Sequence, residues 1–277
     1  MLPSDTSLRG GAEGSLVARV FITGSSDGLG LMAGRLLAGQ GHAVVLHARN
    51  SSRAEDARAA LAEAAGVVTG DLSSLAGMRQ VAEQADAVFG SGPFDAIIHN
   101  AGVGHRDQPQ RVATEDGLAR VFAVNVLAPY LLTALMKRPQ RLVYLSSGLH
   151  RDADASLADA QWERRSWDGF GAYSDSKLLD VVLTFAVARR WPDVRCNGVE
   201  PGWVPTKMGG PTAPDDLSLA PVTQAWLAVS DDPAATGTGG YFFHQQPQQV
   251  HPAARDVTFQ DELLAYCARL SGTELPT

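Results

Sequence analysis

Cysteine is scarce in this chain: Cys196 sits in an apolar run and Cys267 in a C-terminal helical pattern. Two residues so placed fit neither a disulfide framework nor a metal spacing, which is the usage of a reducing compartment. Long hydrophobic runs are also missing. No 18 consecutive apolar residues are present to span a bilayer, and the opening MLPSDTSLRGGAEGS lacks the apolar core of a signal peptide. Residues 1–16 therefore read as a flexible leader on a cytoplasmic protein. Positive charge is neither abundant nor clustered: 23 Lys and Arg stand against 30 Asp and Glu, for a formal net charge of -7. That balance excludes a nucleic-acid or anionic-membrane partner and leaves a small molecule. The histidines form no metal pattern, and neither a GxSxG elbow nor a Walker loop is present, so hydrolase and phosphoryl-transfer chemistry have no anchor.

What the chain does have, from Val17 onward, is an alternation of short apolar runs with helix-period segments. The runs at 19–23, 43–48, 67–69, 94–99, 141–146, 194–199 and 240–243 are too uniformly apolar to have one wet face, as expected of buried parallel strands. Helices are predicted at 28–40, 53–64, 75–89, 115–136 and 172–190, the second opened by a capping box of Ser52 and Glu55. The pattern predicts an α/β fold: one domain over residues 17–277, a doubly wound parallel sheet between two helical layers.

Ligands of such sheets bind at the carboxyl ends of the strands. The first strand runs into TGSSDGLG, with Gly24, Ser25, Ser26, Gly28, Leu29 and Gly30 at the turn from strand into helix. Glycine lets the backbone approach a pyrophosphate, and the helix N-terminus behind it offers unpaired N–H groups and a positive dipole end. The second strand ends in Ala48 and Arg49, where a carboxylate would hold a ribose 2′-hydroxyl. A guanidinium there suits a 2′-phosphate, so NADP(H) is favoured over NAD(H), against which Asp27 weighs slightly. Asp71 and Leu72 follow the third strand, and Asn100, Ala101 and Gly102 of HNAG follow the fourth.

Tyr173 and Lys177 are four residues apart, hence on one face of a helix. A tyrosine with an ordinary pKa of about 10 is a poor acid–base catalyst at neutral pH, and an adjacent ammonium lowers that pKa. Ser147 closes the fifth strand at the same edge and can hydrogen-bond a substrate oxygen. Pro129 has no N–H for the carbonyl of Asn125, which leaves that carbonyl free to seat a water against the lysine.

Together TGSSDGLG, HNAG, Asn125, Ser147, Tyr173-x-x-x-Lys177 and PGWVPT at 201–206 resemble the short-chain dehydrogenase/reductase family, over about residues 17–206. The resemblance implies a seven-stranded Rossmann fold in the order 3-2-1-4-5-6-7, a nicotinamide cofactor and an Asn125–Ser147–Tyr173–Lys177 tetrad. It further implies that Lys177 bonds the nicotinamide ribose, and that the segment after Pro201 and Gly202 contacts the carboxamide through Val204 and Thr206. The long stretch from Ser147 to Tyr173 resembles that of retinol-dehydrogenase-like members. Residues 148–171 and 203–220 are then the substrate side, where Trp162, Trp167, Phe170 and Trp203 either line an apolar mouth or pin the insertion. The expected substrate is a small carbonyl or alcohol compound. The apolar LLDVVLTFAVA after Lys177 serves either a homodimer or homotetramer interface or internal packing. Two other readings keep the nucleotide turn: a cofactor-sensing regulator, which has no use for the tetrad, and a methyltransferase, whose ligand has no pyrophosphate.

Overall fold

The computed structural model describes residues 17–277 other than 91 and 107; the leader expected at 1–16 lies outside the described residues. The apolar runs form strands β1 (Arg19–Ile22), β2 (Ala43–Ala48), β3 (Gly66–Thr69), β4 (Ala96–His99), β5 (Arg141–Leu145), β6 (Arg195–Val199) and β7 (Gly240–Phe243), followed by β8 (Gln246–Pro247). The order is β3-β2-β1-β4-β5-β6-β7-β8. Strands β1 to β7 are parallel, and β8 pairs antiparallel with β7. The sheet thus has eight strands rather than seven. The eighth is a hairpin return through His244 and Gln245, whose φ values of 46° and 63° are those of a tight hairpin turn. Neither residue is a typical turn former, so nothing in the local sequence announces it.

Helices α1 (Gly28–Gly39), α2 (Ser51–Ala60) and α7 (Val222–Val229) cover one face, over a core around Ile22, Leu37, Leu46 and Ile98. On the other face, α3 (Leu75–Val88), α4 (Arg120–Phe122), α5 (Ala128–Leu135), α6 (Gly169–Arg190) and α8 (Val257–Ser271) enclose Phe21, Met78, Phe122 and Leu183. Each such side chain, fully buried, contributes roughly 1.5–3 kcal/mol. The strand order reverses between β1 and β4, so the turns after these two strands flank the crevice of a doubly wound sheet.

Three helix starts differ from expectation, α6 beginning at Gly169 rather than 172. The N-cap of α2 is Asn50, whose Oδ1 accepts from Arg53 N at 3.0 Å. Helical geometry begins at Ser51, which puts Ser52 inside the helix, where it cannot cap. The helix expected from 115 begins at Arg120, because Gly117 at φ 78° closes a turn from Thr114. Between α4 and α5 the chain winds as a π-helix, Ala123–Leu127, just before Pro129. The helix before Pro129 therefore widens, which places Asn125 in the irregular stretch.

Every residue of α6 from Ala172 to Ala188 is buried. The sheet lies against one side and α8 against another, so the apolar run after Lys177 packs within its own chain. The insertion is latched to this helix. Arg165 Nη2 meets Asp175 Oδ2 at 2.6 Å, and its guanidinium lies 3.6 Å over the buried Trp162 ring. Trp167 packs edge-on against Trp162 and donates from Nε1 to Gln108 O at 3.0 Å. These two tryptophans pin the insertion, and only Phe170 and Trp203 of the four aromatic residues stand exposed.

The two candidate caps of α2 separate by mutation. Asn50→Ala should cost about 1 kcal/mol of stability, while Ser52→Ala stays within about 0.5 kcal/mol, both read by urea unfolding.

Candidate active site

The turn after β1 carries Gly24 at φ 62° and Gly28 at φ 55°, the left-handed region that glycine enters without strain. A Cβ on Gly24 would lie 2.7 Å from Ala101 Cα, and one on Gly30 would collide with the Asn100 side chain. The TGSSDGLG and HNAG turns are pressed backbone to backbone. Asn100 Nδ2 donates to Thr23 O at 2.9 Å and Gly24 O at 3.0 Å, and Ala101 N donates to Thr23 Oγ1 at 3.0 Å. Asn100 thus shapes the nucleotide turn. Gly28 differs: nothing lies within 4 Å of where its Cβ would be, and it opens α1 toward solvent.

His47, to which the sequence assigned no role, supports this turn from below. Gly24 N donates to its Nδ1 at 2.9 Å, so Nε2 carries the ring proton and faces Gly70 O at 2.9 Å. Burial holds this imidazole below its ordinary pKa, in the neutral form that both bonds need. The buried Ser25 is engaged likewise, donating to Ile22 O at 2.7 Å and accepting from His47 N at 2.8 Å. Its side chain is unavailable to a ligand, as is that of Leu72, which lies in the core. Asp71 is exposed and accepts from Ser73 N at 2.9 Å.

Asp27 is the N-cap residue of α1, yet its side chain makes no cap bond. Arg53 Nη2 at 2.6 Å and Lys207 Nζ at 2.8 Å hold its carboxylate outward. These two cations lower its pKa against the rise that burial causes. The anion-attracting end of α1 therefore stays free of the one carboxylate placed to neutralise it. Ser26 Oγ accepts from Arg53 at 3.3 Å, and Arg49 stands exposed at the end of β2. An open glycine turn at φ 55° and an uncapped helix start fit a dinucleotide pyrophosphate.

The acid–base candidates meet at the ends of β4 and β5. Tyr173 and Lys177 are both buried on α6, with the ammonium 6.0 Å from the phenol ring centre. Lys177 Nζ donates to Leu145 O at 2.6 Å. A Cβ on Gly102 would lie 3.7 Å from Lys177 Nζ and 3.5 Å from Asn125 Oδ1, which puts the HNAG turn, lysine and asparagine in one place. The Asn125 carboxamide is fully engaged: Oδ1 accepts from Val103 N at 2.9 Å, and Nδ2 donates to Val103 O at 3.1 Å and to Ser176 Oγ at 2.9 Å. Its side chain thus clamps the residue after HNAG to α6.

Of the serine pair, Ser146 Oγ is buried against Lys177 O at 2.8 Å, whereas Ser147 is half-buried and accepts from Leu149 N at 3.3 Å, leaving its own O–H to donate. Geometry therefore favours Ser147. Beyond Pro201, Gly202 turns at φ 86° and Asp215 Oδ2 accepts from Trp203 N at 2.6 Å. Val204 is buried and offers only backbone, while Thr206 Oγ1 accepts from Gly209 N at 3.1 Å. His105 is a further residue of the site. Its ring lies 6.0 Å from that of Tyr173 and 5.4 Å edge-on from Phe170. Its position three residues past HNAG was the one available signal.

Alanine at the two glycines should separate turn folding from turn function. Gly24→Ala adds a collision with backbone to left-handed strain and should cost roughly 2–5 kcal/mol in urea unfolding. Gly28→Ala meets no atom and should cost only about 1–2 kcal/mol. It should nevertheless weaken dinucleotide binding, followed by fluorescence titration, about tenfold or more.

The model of the short chain dehydrogenase family matches residues 18–148. An uncharacterized oxidoreductase of Emericella nidulans, AN7799, is 43% identical over 94% of this chain and 99% of its own. Retinol dehydrogenase 13 of Homo sapiens is 28% identical over 93% of this chain and 86% of its own. A crystal structure of a protein from Mycobacterium paratuberculosis superposes with a TM-score of 0.79 at 27% identity, over 94% of this chain and 95% of that one. Full-length identity at this level, joined to a glycine turn and a Tyr–Lys helix at one crevice, shows that the chain belongs to the short-chain dehydrogenase/reductase family of oxidoreductases and resembles its retinol-dehydrogenase-like members.

Proposed function

We propose that the protein is an NADP(H)-dependent oxidoreductase that interconverts a carbonyl and an alcohol, with Tyr173 as general acid and base. The observation that carries this reading is the burial of Tyr173 and Lys177 on one face of α6, with Gly102 and Asn125 beside the ammonium and Ser147 just past the end of β5. A phenol held out of solvent, with an ammonium 6.0 Å from its ring centre, is placed to pass a proton to or from a bound oxygen. Ser147 donates its O–H to the substrate oxygen and orients it toward Tyr173. In the reduction direction the phenol gives its proton to that oxygen, and the ammonium stabilises the tyrosinate left behind. Reprotonation runs past Lys177 toward the Asn125 carbonyl, to which Pro129 has no N–H to donate.

A dinucleotide bound here would supply or accept the hydride. The residues that would hold it are the turn from Gly24 to Gly30, Arg49 for a 2′-phosphate, the backbone at Asp71 and Leu72, Asn100 to Gly102, Lys177 for the ribose, and the segment Pro201, Gly202, Val204 and Thr206. Asp27, drawn outward by Arg53 and Lys207, does not oppose the extra phosphate. The substrate enters beside His105, Phe170, Trp203 and Met208, the last packed on Gly104, and this mostly apolar rim suits an apolar carbonyl compound. Two buried free thiols and the net charge of -7 accord with a cytoplasmic enzyme of a small molecule. No helix among the described residues is long and apolar enough to cross a membrane.

A screen of aldehydes and ketones with NADPH, read by loss of reduced-nicotinamide absorbance, identifies the substrate. With that substrate, Tyr173→Phe keeps the ring and removes the proton, and should cut turnover at least ~100-fold with cofactor affinity nearly intact. Wild-type turnover in this variant refutes the mechanism.

The cofactor preference has its own test. A charge-assisted hydrogen bond contributes about 1.5–3 kcal/mol. Arg49→Ala should therefore weaken NADPH roughly ten- to a hundredfold and leave NADH within a few-fold. Equal losses for the two cofactors, measured as dissociation constants, mean that Arg49 merely supports the loop.

A further inference from the structure

Asp180 is a buried titratable group on the same helix as Tyr173 and Lys177 that the proposed mechanism leaves unused. It lies three residues beyond Lys177 on α6, about one turn along the same side of the helix. Both are removed from solvent, Asp180 being 1% and Lys177 5% exposed. Asp180 Oδ2 is buried with no hydrogen-bond partner. The neighbouring polar side chains of α6 are all engaged with backbone: Ser176 Oγ donates to Tyr173 O at 2.7 Å and Thr184 Oγ1 to Asp180 O at 2.9 Å. A buried carboxylate with an unpartnered oxygen is costly unless an opposite charge lies near.

The groups that face it leave few choices for that charge. Tyr144 from β5 and Cys196 from β6 are both kept neutral by burial. The Tyr144 hydroxyl is bonded to Thr133 Oγ1 at 2.8 Å, and the Cys196 thiol donates to Thr184 O at 3.2 Å. His99, tilted against Tyr144, is pushed down to about 3 by burial and is neutral as well. Charges on the other elements against α6 are engaged elsewhere. Arg151 pairs with Glu200, Arg255 lies over Phe185, Arg269 over Tyr266, and Asp261 of α8 pairs with Arg189 and Arg190. Of the basic residues of α6, Lys177 is the buried one, one turn from Asp180, whereas Arg189 and Arg190 are exposed at the far end.

We propose that Asp180 is a positioning residue for the acid–base pair: a buried counter-ion that keeps Lys177 charged and drawn down against the end of β5, where its Nζ donates to Leu145 O at 2.6 Å. Burial raises the Asp180 carboxyl to about 7 even with the ammonium pulling it the other way, so the counter-ion ionises around neutral pH. Its catalytic consequence rests on the acid–base role of Tyr173; the mutual stabilisation of the two charges does not.

The pair is tested on the free protein by NMR with 13C-labelled lysine, the Lys177 signal being identified by its loss in Lys177→Met. Asp180→Asn keeps the shape and removes the charge. The expected result is a Lys177 titration midpoint lower by about one pH unit or more, and an unchanged midpoint overturns the proposal. Linkage requires the same coupling from the other side. In Lys177→Met, the Asp180 carboxyl followed with 13C-labelled aspartate should titrate higher than in wild type by a matching amount. That measurement decides the matter should Asp180→Asn fail to fold, and an unmoved Asp180 overturns it. In turnover, the alkaline limb of the Asp180→Asn profile should move down by the Lys177 shift. A moved Lys177 midpoint in a protein whose Tyr173→Phe variant keeps wild-type turnover upholds the ion pair and refutes only the acid–base reading.

Discussion

The approach of Gly24 to Ala101, closer than any side chain would permit, is the constraint on which the rest of the site depends. It presses the turn after β1 against the turn after β4 at the point where the strand order reverses. A run of hydrogen bonds fixes that contact from both sides. It begins at Gly70, passes through His47 to Gly24, and crosses to Asn100 and Ala101. It resumes at Val103, which Asn125 clamps, and ends at Ser176, which is bonded in turn to Tyr173 O. The nucleotide turn and the acid–base helix are thus held by one network. In a low-dielectric interior such bonds are strong, and a broken one leaves a buried polar group exposed to the full penalty of desolvation.

Helix α6 shows what this rigidity requires. Its Tyr173, Ser176, Lys177 and Asp180 lie in a stretch that is buried from Ala172 to Ala188, and a helix with so little exposed surface ordinarily carries few polar groups. The arrangement is tolerated because α8 and the sheet supply apolar cover while backbone carbonyls and one counter-charge satisfy the rest. The insertion is tied down by Arg165 between Asp175 and Trp162, and His105 lies against both Phe170 and Tyr173.

The strands were legible to within about two residues because a buried parallel strand must be apolar along its whole length. The glycine turn, HNAG and the Tyr–Lys pair were legible for a similar reason, since each is a local rule of backbone geometry or helical spacing. Where a second local choice competed, sequence reasoning erred. Asn50 and Ser52 are both good caps, and only the end of β2 decides between them. The helix before Pro129 reads as continuous, and the π turn that carries Asn125 depends on what packs against it. The His244–Gln245 hairpin has no turn signature at all.

The sequence by itself determined the element order, the crevice and the residue types at its edge, because strand burial, glycine conformation and helical period act over a few residues. Tertiary structure alone decided which side chains are free to act. Ser25 and Ser146 are engaged by backbone while Ser147 is not. Asp27 turns away from α1 because Arg53 and Lys207 reach it from distant parts of the chain. Asp180 becomes a buried charge only because α6 lies under α8 and against β5 and β6. Such outcomes follow from desolvation and from pairing between groups far apart in sequence, and those quantities exist only once the chain has closed on itself.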